Sequence, residues 1–126
     1  MHENQIGTII VDCAVQLHQG LGPGLQESVY EVTLAAKLRK RGLEVVRQVP
    51  IPIEYERQRF DEGFRADLIV EQKMLVELKS VEKVHPAHKK QVLTYLRLTG
   101  FKLGYLLNFG AALMKDGITR TIHGEL

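Results

Sequence analysis

The sequence predicts an α/β fold in which a central mixed β-sheet is flanked by about three helices. Three observations lead to this class. Three segments repeat their apolar residues with a helical period, residues 64–80 alternate as two paired strands, and a helix separates that pair from a continuous apolar strand. The strand pair is antiparallel, whereas a strand reached through a helix returns to its sheet in parallel by a right-handed crossover. The predicted sheet is therefore mixed.

The first two predicted helices lie on either side of a glycine-rich connector. The first covers residues 4–18, with Ile6, Ile9, Ile10, Cys13, Ala14 and Leu17 as its apolar positions. The connector, residues 20–24, allows a sharp reversal and lacks the Gly-Lys-Ser/Thr of a nucleotide-binding loop. The second helix runs over residues 26–41, and its predicted buried side is Val29, Val32, Leu34, Ala35, Ala36 and Leu38.

Prolines mark the next segment, residues 43–55, as the edge of the sheet. Because proline has no N–H to donate to a neighbouring strand, Pro50 and Pro52 favour an edge strand or two short strands joined by a bend. Residues 57–63 are polar and predict a turn that leads into the following hairpin.

The hairpin over residues 64–80 selects its own register. A three-residue loop at residues 71–73 sets Val70 opposite Met74, and this pairing gathers one apolar face: Phe64, Ala66, Leu68, Val70, Met74, Val76 and Leu78. The other face collects Arg65, Asp67, Ile69, Leu75, Glu77 and Lys79. A slip by one residue would turn one strand's apolar residues to the polar face, which a half-buried sheet resists.

The same register sets Asp67 opposite Glu77, with Lys79 on the same face. Like charges at this separation repel, so a cation or a shared proton is expected between the two acids. Two carboxylates beside an ammonium suit Mg²⁺ next to a phosphate, although Lys79 could also simply neutralise the acids of a solvated face. Because Ile69 and Leu75 make this face half apolar, we expect another element to cover it, and covered charges usually serve a function.

The last elements are a helix and two strands. The helix over residues 86–98 begins at a proline and ends at Gly100, and its polar stripe holds His88, Gln91 and Tyr95 at positions i, i+3 and i+7. Residues 101–109 are almost all apolar, which is typical of a strand buried on both faces. Residues 118–122 predict a final edge strand.

Composition and charge restrict the class of protein. The 126 residues are 44% hydrophobic and 25% charged, values that predict one domain over residues 1–126. A net charge of +2 is small for a protein that coats nucleic acid, though it permits a local basic patch. The lone Cys13 excludes a disulfide framework or a cysteine zinc site within one chain. Without a signal-peptide pattern or a spanning apolar run, the chain is expected to be cytoplasmic with no membrane partner.

Two groups of motifs resemble known nucleases. Asp67 followed by Glu77-Leu78-Lys79 is similar to the D…ExK core of the PD-(D/E)XK nuclease superfamily. Residues 22–31, GPGLQESVYE, resemble the defining segment of the GxxExxY family, whose named positions are filled by Gly24, Glu27 and Tyr30. Further similarity lies in VELKS, in the QVLTYL helix and in LNFG, so the resemblance covers roughly residues 6–110.

The resemblance implies a restriction-endonuclease-like core that hydrolyses phosphodiester bonds with Mg²⁺ or Mn²⁺. The implied metal ligands are Asp67, Glu77 and, as an extra acid, Glu27. The implied catalytic residues are Asp67, Glu77, Lys79, Gln91 and Glu27. The residues expected to bind substrate are Lys79, Gln91 and Tyr30, together with Arg65, which lies on the same face of the hairpin. Nucleic acid is the expected partner, with DNA favoured over RNA. A homodimer is also possible, because a small core has little surface for reading base edges.

Alternatives remain at several of these positions. A glutamate in the first helical turn, such as Glu27, is also explained by the helix dipole. Arg65 could clamp a phosphate or pair with Asp67. At the level of function, the fold could be a catalytically silent module that binds nucleic acid or protein. A sugar or nucleotide enzyme built on the glycine connector is disfavoured, because no base or nucleophile accompanies it.

Overall fold

A computed structural model describes residues 1–126 as a five-stranded mixed sheet with three helices. The helices are α1 (Glu3–Leu21), α2 (Glu27–Lys40) and α3 (Pro86–Thr99), and a 3₁₀ turn covers Met114–Gly117. The strands are β1 (Val45–Tyr55), β2 (Gln58–Val70), β3 (Met74–Lys79), β4 (Leu103–Asn108) and β5 (Ile118–Ile122). They lie in chain order, and only β3 and β4 run parallel. The predicted α/β class with a mixed sheet is confirmed. No helix combines the length and the apolar character needed to cross a membrane.

The central hairpin has the predicted register. Val70 pairs with Met74 and Leu68 with Val76, and the loop between the strands places Glu71 and Gln72 in the left-handed region. The chain then passes through α3 and returns as β4, which pairs in parallel with β3 as predicted. All six residues of β4 are buried, so the prediction of a strand covered on both faces is confirmed as well.

The helices cover opposite faces of the sheet. The larger core lies between the sheet and the pair α1 and α2, whereas α3 packs its Val92 and Leu96 against Ile69 and Leu75 on the other face. The half-apolar face of the hairpin is therefore covered by another element, as the sequence predicts. Gly104 on β4 permits close packing, because a Cβ there would lie 3.2–3.3 Å from Leu96 and Val92 side-chain carbons.

One row of the predicted apolar face is divided between the two cores. Leu68 and Val70 pack towards α1 and α2, whereas Phe64 and Ala66 pack towards α3. The division falls at Asp67 on β2. In the neighbouring strand β1, Gln48 adopts a left-handed backbone conformation with φ of 52°. Gln48 and Asp67 do not pair with each other, although the residues before and after them pair across the two strands. The regular alternation of side chains between the two faces is therefore lost at this point.

Residues 57–63 do not form the predicted turn. β1 and β2 continue as a long hairpin whose turn is Glu56 and Arg57, with φ of 48° and 68°, and Tyr55 pairs with Gln58. Residues 54–63 are all exposed. The segment therefore carries no buried apolar alternation, which is the signal by which a strand is recognised.

The buried side of α2 also differs from the prediction. Val29 and Val32 are 38% and 48% exposed, and Ala36 is exposed too, whereas Tyr30 and Glu31 are buried. Both of these polar-tipped side chains find hydrogen-bond partners inside the fold, which removes the usual cost of burying them.

Candidate active site

The strands β2 and β3 exchange side-chain contacts at Asp67 and Glu77, just beyond their last ladder pair. Asp67 Oδ2 accepts the backbone N–H of Leu78 at 2.9 Å. In the opposite direction, the backbone N–H of Asp67 donates to Glu77 Oε1 at 3.4 Å. Each carboxylate thus contacts the backbone of the other strand, and the two acids face each other as the predicted register requires.

This arrangement favours the protonated form of the Glu77 carboxyl. The pKa of the Glu77 carboxyl is raised from 4.5 to about 9, chiefly by burial and further by the negative charge of Asp67 and a hydrogen bond to it. The positive charge of Lys79 opposes the shift but does not cancel it. At neutral pH the pair therefore holds a proton at the position where the sequence predicts a cation or a shared proton.

Lys79 lies beside the acids without forming an ion pair with either of them. The four ion pairs of the chain lie elsewhere, at Arg41, Arg47, Arg59 and Arg65. The Lys79 side chain is half-buried, and its charge lowers the pKa of both Glu77 and His88. Its ammonium is thus held near the carboxylates while its hydrogen-bonding capacity is left for another group.

Helix α3 brings a row of polar residues to the same place. The Tyr95 ring stacks on Phe64 with centroids 3.7 Å apart, and the pKa of its hydroxyl is raised by burial and by the charge of Glu77. Hydrogen bonding with Gln91 opposes that rise. One turn earlier, His88 has a buried Nδ1 without any hydrogen-bond partner. The stripe that the sequence places on α3 therefore borders the two acids.

A network that the sequence analysis missed supports Asp67 from the side of β1. Gln48 donates from Nε2 to Glu31 Oε1 at 2.6 Å and, more weakly, to Asp67 Oδ1 at 3.4 Å. Arg47 holds the other Glu31 oxygen through two hydrogen bonds of 3.0 and 2.7 Å. The sequence offers no signal for Gln48, since its role follows from an unusual backbone conformation in a strand. Glu31 could be suspected only as an acid one turn after Glu27.

The end of β3 is fixed by the last residue of β4 and the residues that follow it. Asn108, which is 3% exposed, accepts the N–H of Val81 at 3.0 Å and donates to its carbonyl at 2.9 Å. A Cβ on Gly110 would lie 2.1 Å from the Val81 carbonyl oxygen, so only glycine leaves room for this approach. Asn108 and Gly110 therefore fix the path of the chain directly after Lys79.

Tyr30 does not lie where a substrate could reach it, and its predicted substrate-binding role is wrong. The residue is 0% exposed, and its ring stacks on Phe109 at 4.4 Å. Its hydroxyl donates to the Gly22 carbonyl at 2.6 Å and accepts the Leu25 N–H at 3.0 Å. Tyr30 therefore holds the glycine connector, whose Gly22 has φ of 79°.

The connector carries Glu27 to the edge of the site but not into contact with the acids. Ser80 Oγ, at the end of β3, donates to the Leu25 carbonyl, which fixes the start of α2 beside Lys79. Glu27 is exposed and lies close enough to His88 to raise the pKa of that ring. The structure contains no group of three or more His, Cys, Asp or Glu side chains arranged to hold a metal ion, so Glu27 does not join Asp67 and Glu77 directly.

Arg65 lies apart from the acids, and the predicted alternative of an ion pair with Asp67 is wrong. Arg65 instead binds Glu62 through two hydrogen bonds of 2.6 and 3.1 Å. Because Phe64 and Ala66 pack on the α3 side, the alternation of the strand turns Arg65 to the other side. The change of face at Asp67 therefore removes Arg65 from the predicted group.

Comparison with known proteins agrees with this geometry. The family model of the PD-(D/E)XK nuclease superfamily matches residues 4–121, which is nearly the whole chain. No curated protein and no solved structure matches the chain. The match includes both hairpin acids, the lysine and the α3 stripe, and the chain therefore belongs to the PD-(D/E)XK nuclease superfamily.

Proposed function

We propose that residues 1–126 form a single domain that hydrolyses phosphodiester bonds of nucleic acid with the help of Mg²⁺ or Mn²⁺. The observation that carries the proposal is the pair Asp67 and Glu77, whose carboxylates meet across two strands beside the unpaired ammonium of Lys79. Membership of the nuclease superfamily supports nucleic acid as the substrate. DNA is the first substrate to test, with RNA as the comparison.

The donor set fits a hard divalent cation. Mg²⁺ prefers oxygen ligands and usually binds one or two carboxylates while keeping several waters, so two acids without a third protein ligand are sufficient. The raised pKa of Glu77 indicates that the pair lacks a compensating positive charge, which such a cation supplies. Asp67 and Glu77 would hold the ion, and Glu27 belongs to the proposal as an additional acid near them.

The chemistry assigned to the ion is to lower the pKa of a bound water and to stabilise the charge that develops on the phosphate. The Lys79 ammonium would bind the scissile phosphate or orient the attacking water. Gln91 would hold the water or the phosphate by hydrogen bonds from the opposite side, on α3. Gln48 would keep the Asp67 carboxylate in place while Glu31 holds Gln48.

Within the superfamily, we propose that the chain is one of the GxxExxY proteins. Gly24, Glu27 and Tyr30 fill the named positions, and the roles of two of them support the assignment. Gly24 has φ of 91°, a conformation that favours glycine. Tyr30 binds both ends of the turn that Gly24 belongs to. On this view Glu27 is the member of the motif that serves the reaction.

Cleavage of nucleic acid by the purified chain tests the proposal. Supercoiled plasmid and single-stranded DNA should be cut with Mg²⁺ or Mn²⁺ but not with EDTA. Lys79→Ala should abolish cutting while the circular dichroism spectrum stays unchanged, and the exposed Lys102→Ala serves as the matched control. If Lys79→Ala cuts as fast as the native chain, the activity comes from another site or a contaminant. Binding without cutting would instead support the silent binding module.

A further inference from the structure

His88 has no assigned role in the reaction, although it lies at the site. It is in the first turn of α3, three residues before Gln91, and its side chain is half-buried. Its Nδ1 is buried and lacks any hydrogen-bond partner, and Nε2 makes no hydrogen bond within the chain either. A buried polar atom without a partner costs free energy, and such atoms at functional sites commonly bind a group that arrives with the ligand.

The charges around His88 indicate which kind of ligand this is. Burial and the positive charges of Lys79 and His85 lower the pKa of the ring, whereas only Glu27 raises it. The lowered pKa favours the neutral ring, which carries one N–H that can donate. Lys79 and His85 lie beside a His88 N–H that has no partner in the protein. Such surroundings disfavour a metal ion at this position and favour an anion.

We propose that His88 is a substrate-binding residue that donates a hydrogen bond to a phosphate oxygen of the nucleic acid, together with Lys79. The inference rests on the proposed nuclease function and names the group that fixes the nucleic-acid backbone next to the scissile bond. No hydrogen bond inside the protein holds the ring at either nitrogen. Rotation of the imidazole about its Cβ–Cγ bond can therefore turn Nδ1 out of its buried position without breaking a hydrogen bond.

Binding of an oligonucleotide without turnover tests this directly. A fluorescein-labelled single-stranded DNA of about 16 nucleotides, a length that spans one binding groove, is titrated with the full chain in EDTA. His88→Ala should raise Kd about tenfold, the effect of one hydrogen bond to a charged group. At least one of His88→Gln and His88→Asn should stay within about threefold of the native Kd, since each amide restores a donor near one ring nitrogen. His123→Ala, which removes a histidine outside α3, should bind like the native chain.

Further readouts separate binding from folding and from the proposed activity. In ¹⁵N-labelled protein, the oligonucleotide should shift the ring nitrogens of His88 and leave those of His123 unchanged. In cleavage assays, His88→Ala should raise KM about tenfold and change kcat less than about threefold. All variants should show the native circular dichroism spectrum.

The outcomes distinguish this inference from the proposed function. An unchanged Kd and KM in His88→Ala, with cleavage intact, overturns the role of His88 alone. Equal weakening in the Ala, Gln and Asn variants overturns the role of a donor. No binding by the native chain overturns the inference as well. Binding that depends on His88 in a chain that cuts nothing supports the inference and rejects hydrolysis.

Discussion

Asp67 accepts the backbone N–H of Leu78 at 2.9 Å, so a side-chain carboxylate replaces a backbone carbonyl at the point where β2 and β3 separate. Glu77, the residue before Leu78, contacts the Asp67 backbone in return. The separation of the strands and the meeting of the two acids are therefore one structural event. An acid in this position serves the fold as a hydrogen-bond acceptor and the site as a charge, and the two roles can be tested separately.

Substitution of Asp67 should separate its two roles. Asp67→Asn keeps an oxygen that can accept the Leu78 N–H but removes the charge, so it should unfold in urea at nearly the native midpoint or above it and lose metal-dependent cleavage. Asp67→Ala leaves that buried N–H without a partner and should lower the free energy of unfolding by about 1–3 kcal/mol. Equal stability of the Asn and Ala variants would contradict the structural role of the carboxylate.

Glu77 should make stability depend on pH. Folding raises its pKa from 4.5 to about 9, so between these values the folded chain holds a proton that the unfolded chain releases. The free energy of unfolding should therefore fall as pH rises, by about 2–4 kcal/mol between pH 5 and 8. Glu77→Gln imitates the protonated acid and should flatten this dependence and exceed native stability at pH 8. Urea unfolding at several pH values measures it. The exposed Glu125→Gln should keep the native slope, and a native slope in Glu77→Gln would contradict the assignment.

The divalent cation should replace that proton. Binding requires the Glu77 carboxylate to be ionised. Mn²⁺ should therefore raise the melting temperature by about 2–5 °C at pH 8 and by less at pH 6. Glu77→Gln should lose the shift, and Glu125→Gln should retain it. The shift in Glu27→Gln measures how far the additional acid contributes to binding of the cation. A shift of equal size in Glu77→Gln would place the cation elsewhere on the chain.

Sequence patterns predicted the hairpin and its acids because alternation along a strand with one buried face admits only one register. Ile69 and Leu75, two apolar residues among charges, indicated that another element covers that face, but only the structure identifies this element as α3. Gln48 could not be predicted, since its left-handed backbone has no signal in a glutamine and its partners come from α2 and β2. Likewise, Glu31 and Glu27 look alike in the sequence. They differ in their tertiary contacts, because Glu31 is buried and bound by Arg47, whereas Glu27 is exposed.

Tyr30 should be needed for stability and not for substrate binding. Tyr30→Phe keeps the ring on Phe109 but removes the hydroxyl that joins the Gly22 carbonyl and the Leu25 N–H. The free energy of unfolding should fall by about 1–3 kcal/mol. Once folded, the variant should bind the oligonucleotide with native Kd. A Kd raised about tenfold in a variant of native stability would instead indicate that Tyr30 binds the substrate.

Gly110 should be required because the chain that leaves Lys79 passes directly against it. In Gly110→Ala, the new methyl group would lie 2.1 Å from the Val81 carbonyl oxygen, and since backbone surrounds it, the end of β3 must shift. We expect a loss of more than about 2 kcal/mol of stability and reduced cleavage even under conditions where the variant is folded.

Gly20→Ala is the matched control, because a Cβ there meets nothing within 4 Å. Alanine also favours the last turn of α1, so stability should rise by about 0.5–1 kcal/mol. Urea unfolding together with plasmid cleavage measures both effects. Native cleavage by Gly110→Ala would mean that the position of Lys79 does not depend on the contact between Val81 and Gly110.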